Sequence, residues 1–345
     1  MDITAESSPG TPPRGGWRPA VTLAVLSPLI AEVLSGATKV SVLFALVPEI
    51  LTWGCGALVI REAVRRWRGG WTSTLLLGLG IAVAEEFVIQ QTSLAPLPFP
   101  GALAHYGRAW GVNWIYFLFM LGYESVWVVL VPVQVTELLF PSRSDAPWLR
   151  TRGLILAAIL FLLGARIAWY AWIKRARPMV FHLPPYHPSA LLIGSGVAAI
   201  ALLAVLAWCA RRVGTGTPNP AHGAPPAWLI VVLGFVLGCP WYALMGFVFA
   251  PKAPRVAFSL VMAAGIAWGV LVYLILGWLT HAAAWTDVHR WALAFGATLL
   301  CMAAGFLGSN TWRPIDLYAK AVLNVLAVIA FLLLVPRLRR RRVAA

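Results

Sequence analysis

Glu85 and Glu86 stand side by side in an otherwise apolar run, Ala84-Glu85-Glu86-Phe87-Val88-Ile89-Gln90-Gln91. Adjacent carboxylates in a low-dielectric medium cannot both ionise cheaply, so the pair is expected to share a proton near neutrality. A carboxyl that keeps its proton beside one that has lost it is suited to general acid–base chemistry. Gln90 follows Glu86 by four residues, on the same helical face. Glu32, Glu49 and Glu124 also lie inside apolar runs, while no acid occurs between Asp145 and Asp287. An ionisable group at membrane depth costs at least about 2.5–3.5 kcal/mol. The five glutamates are therefore expected to face one another or water. Arg166 is the only base deep inside a run, and one of these glutamates is its expected partner. A plainer reading stands beside the chemical one: a hydrogen-bonded polar seam that only holds helices together.

The elements that position these groups follow from hydropathy. A membrane-spanning helix takes about 20 mostly apolar residues, and ten stretches qualify: 18–36, 40–60, 72–94, 113–138, 153–173, 189–210, 227–249, 256–279, 290–308 and 318–336. Composition agrees: of 345 residues 60% are hydrophobic and 11% charged, against about 45–50% and 25% in a soluble domain. Too few polar side chains remain to cover a soluble surface. A soluble enzyme, a secreted disulfide scaffold and a disordered chain are excluded. The expected fold class is all-α, a polytopic membrane helix bundle of about ten spans. Residues 1–16 read as a disordered tail and 17–210 as a six-helix unit holding the glutamates. Residues 211–226 read as a linker, 227–336 as an apolar four-helix unit and 337–345 as a basic tail.

Depth can be read from helical rise. With the amino terminus inside, Glu32, Glu49, Glu85, Glu86 and Glu124 converge on one layer in the outer half of the membrane. Pro28 precedes Glu32 by one turn and Pro48 immediately precedes Glu49. Interior prolines break helical bonds and kink the chain, which would free the carbonyls of Ala24 and Phe44 near that layer.

At the Glu85-Glu86 motif the chain resembles the CPBP family, the CAAX-prenyl-protease and bacteriocin-processing type of intramembrane peptidase. That family carries two consecutive glutamates followed after three residues by arginine, where this chain has Gln90. On the next helix it carries phenylalanine followed four residues later by histidine, where this chain has Phe119 and Tyr123, with Glu124 next. The resemblance covers about 70 residues of the third and fourth stretches, with Asn324 a loose match to a later polar position. It implies that Glu85 activates water for peptide cleavage and that Glu86 or Glu124 assists. The substitutions at Gln90 and Tyr123 imply altered catalysis.

The charge balance, 27 Lys+Arg against 12 Asp+Glu, gives a net +15. The bases flank apolar runs, so they read as topology anchors meeting the bilayer and its anionic headgroups, and nucleic acid is not an expected partner. Seventeen fall on the side of the two termini and nine on the other, Lys39, Lys174, Arg175, Arg177 and Lys320 among the nine. Both termini are therefore expected in the cytoplasm, with the chain a multi-pass protein of the cell (inner or plasma) membrane. The preference for 23 Arg over four Lys fits a GC-rich bacterial coding sequence.

No metal site or cofactor is expected. All six histidines fall in predicted loops, His105 being the one placed to fold inward, and the four cysteines form no CxxC pair. Seven tryptophans, Trp17 and Trp291 among them, mark predicted span ends, as an interfacial belt does. Trp53, Trp127 and Trp169 lie deeper and read as packing residues. Three uses of the glutamates remain open at the level of sequence. The chain is an intramembrane peptidase, a transporter coupled to protons or cations through Glu49, Glu85, Glu86 and Glu124, or a non-catalytic scaffold.

Overall fold

A computed structural model describes residues 16–96, 106–184, 186–213, 223–248 and 254–344. Ten helices account for almost all of them: α1 (Trp17–Leu34), α2 (Val40–Arg66), α3 (Trp71–Ile89), α4 (Trp114–Leu139), α5 (Thr151–Val180), α6 (Ala190–Arg212), α7 (Ala227–Val248), α8 (Phe258–Thr280), α9 (Asp287–Ala304) and α10 (Pro314–Ala344). Among the described residues nine are long and apolar enough to cross a membrane. The tenth, α9, starts on a polar turn, Asp287-Val288-His289-Arg290, which dilutes its apolar run. A two-residue antiparallel hairpin, β1 (Arg108–Ala109) with β2 (Val112–Asn113), leads into α4. The fold is an all-α polytopic bundle, as the hydropathy predicts.

Burial sorts the helices. α9 is enclosed on most sides: Trp291, Ala292, Ala294, Phe295, Ala297, Leu300, Cys301 and Met302 are all buried. It packs on α7 through two glycines: a β-carbon at Gly234 would sit 2.7 Å from the Leu293 carbonyl oxygen, and one at Gly296 would collide with that of Val231. The backbones meet there because neither position carries a side chain. By contrast α8 buries only Val261 and Leu279, and α6 only Gly196 and Ala207. One continuous hydrophobic core runs from Ala20 on α1 to Leu338 on α10. Part of the linker expected at 211–226 lies outside the described residues.

Several boundaries move, each for a visible reason. The bases Lys174, Arg175 and Arg177, expected in a loop, lie on a continuation of α5 to Val180. Arg177 is buried there and donates to the Pro96 carbonyl at 2.9 Å. His289, also expected in a loop, sits in the first turn of α9. Its ring stacks on Trp285 and its Nδ1 accepts from the Thr286 backbone N–H at 3.1 Å, completing a capping box. The basic segment expected as a tail from 337 continues α10 as helix to Ala344. The expected tail over 1–15 and His105 lie outside the described residues.

Candidate functional site

The glutamates and the irregularities of the helices coincide. Among the described residues five segments wind as π-helix, and four hold or directly follow a glutamate of the apolar runs: Leu29–Leu34 with Glu32, Ile50–Gly54 after Glu49, Glu85–Ile89, and Glu124–Leu130. π turns are rare, and they gather at functional sites. Pro28 and Pro48 account for the first two, because neither can donate the backbone bond that continues an α-helix. The α3 turn has no proline at it, whereas the α4 turn ends two residues before Pro132, whose missing N–H leaves the Val128 carbonyl open.

A widened turn leaves carbonyls without their usual donors, and side chains claim them. On α1, Tyr123 donates its hydroxyl to the Ala31 carbonyl, Ser35 donates to that of Glu32 at 3.0 Å, and the Lys320 Nζ donates to that of Leu34 at 2.6 Å. On α2, Thr52 donates to the Pro48 carbonyl at 2.9 Å. On α4, Ser125 donates to the Leu121 carbonyl at 2.6 Å, and Ser27 of α1 donates to that of Val128 at 2.7 Å. The Ala24 carbonyl that Pro28 frees meets Gly54 of α2, where a β-carbon would collide with it. Gly54 thus sets how closely α1 and α2 cross beside Glu32 and Glu49.

The carboxyl groups of four helices come together. Glu85 lies within electrostatic reach of Glu86 and Glu32, Glu124 within reach of Glu85, Glu32 and Glu86, and Glu32 within reach of Glu49. Glu32 thus links Glu49 to the Glu85–Glu86–Glu124 group. Glu49, Glu85, Glu86 and Glu124 are buried. Glu32 is half-buried.

Their hydrogen bonding is incomplete. Glu86 Oε2 accepts from Thr92 Oγ1 at 2.7 Å and Ser93 Oγ at 2.6 Å. Glu124 Oε1 meets the Trp53 indole N–H at 3.4 Å, and Glu49 Oε1 accepts from Thr38. Glu49 Oε2, Glu85 Oε1, Glu86 Oε1 and Glu124 Oε2 are buried with no partner among the described residues. A buried polar atom left unpaired costs about 1–3 kcal/mol. The hydrogen bonds made within the chain leave the cluster short of donors.

The fold places some expected residues apart from this group. Arg166 pairs with none of the glutamates: it is exposed on α5 with its guanidinium 4.4 Å from the Trp169 ring. α5 buries Gly164 and Ala168 against α2, and position 166 points away from that stripe. Gln90 is half-buried where α3 ends, and Glu86 is met by Thr92 and Ser93 instead. Those two reach Glu86 because Gln91, at φ +60°, turns the chain back. Tyr123 is buried at the edge of the cluster and secures the α1 bulge.

Sequence reasoning passed over Tyr116. Its phenol is enclosed by protein, turned toward Thr92 and within electrostatic reach of Glu86, Glu124 and Glu85. The signal was available: Asn113 accepts from the Tyr116 N–H at 3.0 Å as the N-cap of α4, which fixes Tyr116 one turn in. Trp53, expected only to pack, donates to Glu124. Lys320, counted as a loop base, is buried on α10, holding the carbonyls of Leu34 and Met302 at 2.6 and 3.2 Å.

A second polar cluster closes the opposite end of α2 and α4. Arg61, expected to meet lipid headgroups, is fully buried. It donates to Glu62 at 3.0 Å, to Glu137 at 3.3 Å, and to the carbonyls of Ala146, Arg143 and Ser144 at 2.8, 3.2 and 2.7 Å. Its plane lies 3.5 Å from the centre of the Trp148 ring. Arg65 and Arg290 complete Glu137 at 2.5 and 3.3 Å, and Arg66 completes Glu62 at 2.7 Å.

Among the described residues no three His, Cys, Asp or Glu side chains are arranged to hold a metal ion. No protein-family model, curated protein or solved structure matches the chain.

Proposed function

We propose that the Glu85–Glu86–Glu124 group is the acid–base centre of an intramembrane hydrolase that resembles the CPBP peptidases in altered form. The observation that carries this reading is the division of labour within the pair. Each has one buried oxygen without a partner, but two hydroxyl donors anchor the other oxygen of Glu86, whereas the Glu85 carboxyl accepts no hydrogen bond among the described residues. Glu85 is the water-activating base in this reading: it takes the proton of the attacking water as the water oxygen bonds the peptide carbon, and Glu86 or Glu124 assists in returning a proton to the leaving amine as the C–N bond breaks. Tyr116, near all three carboxyls, supplies an O–H donor for the developing oxyanion in place of the family's histidine. The protein sits in a bacterial cell membrane with both termini in the cytoplasm, so the glutamates lie in the outer half.

The test is cleavage of membrane-inserted peptides by the protein reconstituted in liposomes. Glu85→Gln is expected to lower turnover at least about 100-fold, the low end of what a general base contributes. Turnover unchanged by Glu85→Gln, or no cleavage by the unaltered protein over a broad peptide panel, removes this reading.

A second reading rests on the number of carboxyls. A hydrolase needs two or three, whereas this group extends through Glu32 to Glu49 over four helices. Such a chain suits stepwise proton or cation transfer in a transporter. Solute uptake driven by a pH gradient in the same liposomes, lost in Glu32→Gln, would favour it.

A further inference from the structure

A cavity of about 700 Å³ lies on the far side of α4 from the carboxylates, walled by α3, α4 and α8 with α7 and α9 behind. Ligand pockets commonly measure about 300–1,000 Å³. Along α4 its lining runs from Leu118 to Glu137, roughly 28 Å at 1.5 Å per residue. That is close to the thickness of a bilayer's hydrocarbon core, about 30 Å. Leu79, Leu121, Val126, Leu237, Ile266 and Val270 make most of its length apolar.

One end is different. Arg65, Gln134, Glu137, Arg290, Tyr273 and Thr280 border it there. Arg65 and Arg290 share the single carboxylate of Glu137 and keep 23% and 30% of their side-chain surface accessible. Counting the whole cluster, Arg61, Arg65, Arg66 and Arg290 face Glu62, Glu137 and Asp287, leaving one positive charge over. The two arginines that border the cavity are the ones that can present it. The outer wall, α8, is held at that end by Tyr273, whose ring contacts Trp71 and whose hydroxyl is 3.3 Å from that of Thr72. Elsewhere α8 is thinly packed.

We propose that this cavity is a binding site for one anionic phospholipid, with the phosphate at Arg65 and Arg290 and an acyl chain running along α4 toward Leu118. An uncharged apolar ligand would leave the arginine end unanswered, and a free anion would leave the apolar length empty. Only an anionic amphiphile matches both. The site shares no carboxyl with the Glu85 group, so it stands whether or not that group is catalytic.

The test uses the purified full-length protein in detergent, offered equimolar phosphatidylglycerol and phosphatidylcholine, with bound lipid counted by native mass spectrometry. The expected result is one retained phosphatidylglycerol with about a ten-fold preference, equivalent to ~1.4 kcal/mol. Arg290→Gln should reduce the preference to near unity. Gly269→Phe should fill the cavity and abolish retention, because Gly269 borders it with Trp241 as the nearest neighbour, at 3.5 Å from an added β-carbon. Leu121→Trp, from the opposite wall, serves if Gly269→Phe does not fold. Glycerol phosphate should not compete. Equal retention of the two lipids, displacement by glycerol phosphate, or undiminished retention by a folded cavity-filled variant would each overturn the proposal.

Discussion

The two polar clusters, at opposite ends of α2 and α4, use the same acid and resolve its burial in opposite ways. Around Arg61 every donor of a buried guanidinium finds an acceptor, and both Glu62 and Glu137 are paired with arginine. Around Glu85 five carboxyls lie near one another with no arginine or lysine among their hydrogen-bond partners, and four oxygens are left over. Burial of a charge is tolerated when pairing and hydrogen bonds are complete; where they are not, protons must take the place of the cation. The first cluster ties the bundle together. The second leaves buried carboxyl oxygens unpaired.

The contrast predicts opposite signs for removing a charge. Arg61→Ala should produce the largest change, about 3–5 kcal/mol of destabilisation, because it takes a cation from Glu62 and Glu137 and a donor from the carbonyls of Arg143, Ser144 and Ala146 at once. The thermal midpoint of the purified protein in detergent measures it, and a shift of only a degree or two would show that the network is ornamental. Glu85→Gln should leave that midpoint unchanged or raise it, while removing turnover. Loss of stability comparable with Arg61→Ala would place Glu85 in the cohesive class and erase the distinction.

Gly54→Ala tests whether the reactive cluster depends on the α1–α2 crossing. The added methyl collides with the Ala24 carbonyl, so a cost of about 1–3 kcal/mol is expected, as for overpacking elsewhere. Hydrogen exchange should quicken first around Glu32 and Glu49. Lys320→Met should cost about 1–3 kcal/mol by leaving the carbonyls of Leu34 and Met302 short of a donor, read from the same thermal midpoint. The smallest effect belongs to Arg166→Gln. An exposed arginine resting on Trp169 should be replaceable with neither activity nor midpoint altered, and a loss of turnover would return it to the glutamate site.

Depth was legible in the sequence and lateral arrangement only partly. The positions of Glu32, Glu49, Glu85, Glu86 and Glu124 along their helices put them in one layer, and the bundle turns all five inward. Arg166 sits in a run at a similar depth, yet points away, because Gly164 and Ala168 decide which side of α5 is buried. A hydropathy window counts residues and does not know which stripe faces a neighbour. The same blindness hid Arg61 and Lys320. A base at the end of an apolar run looks like an anchor, and only the loop over 143–149 and the π turn of α1, brought up from elsewhere in the chain, convert them to buried donors. The π segment at Glu85 had no proline to announce it, while Pro132 just past Glu124–Leu130 was a signal that sequence reasoning passed over. Tyr116 had a signal, Asn113 as a helix cap, that placed it on the right turn.

Lys320 donates to Leu34 across 286 residues, and that separation has a consequence for biosynthesis. At about 5–20 residues per second of translation, the broken end of α1 waits roughly a quarter-minute to a minute for the ammonium group that closes it. Throughout that interval the nascent chain holds an open carbonyl beside Glu32. The ribosome must reach α10 before the first helix acquires its final shape, so a chain stalled short of α10 should be an early substrate for membrane quality-control proteases.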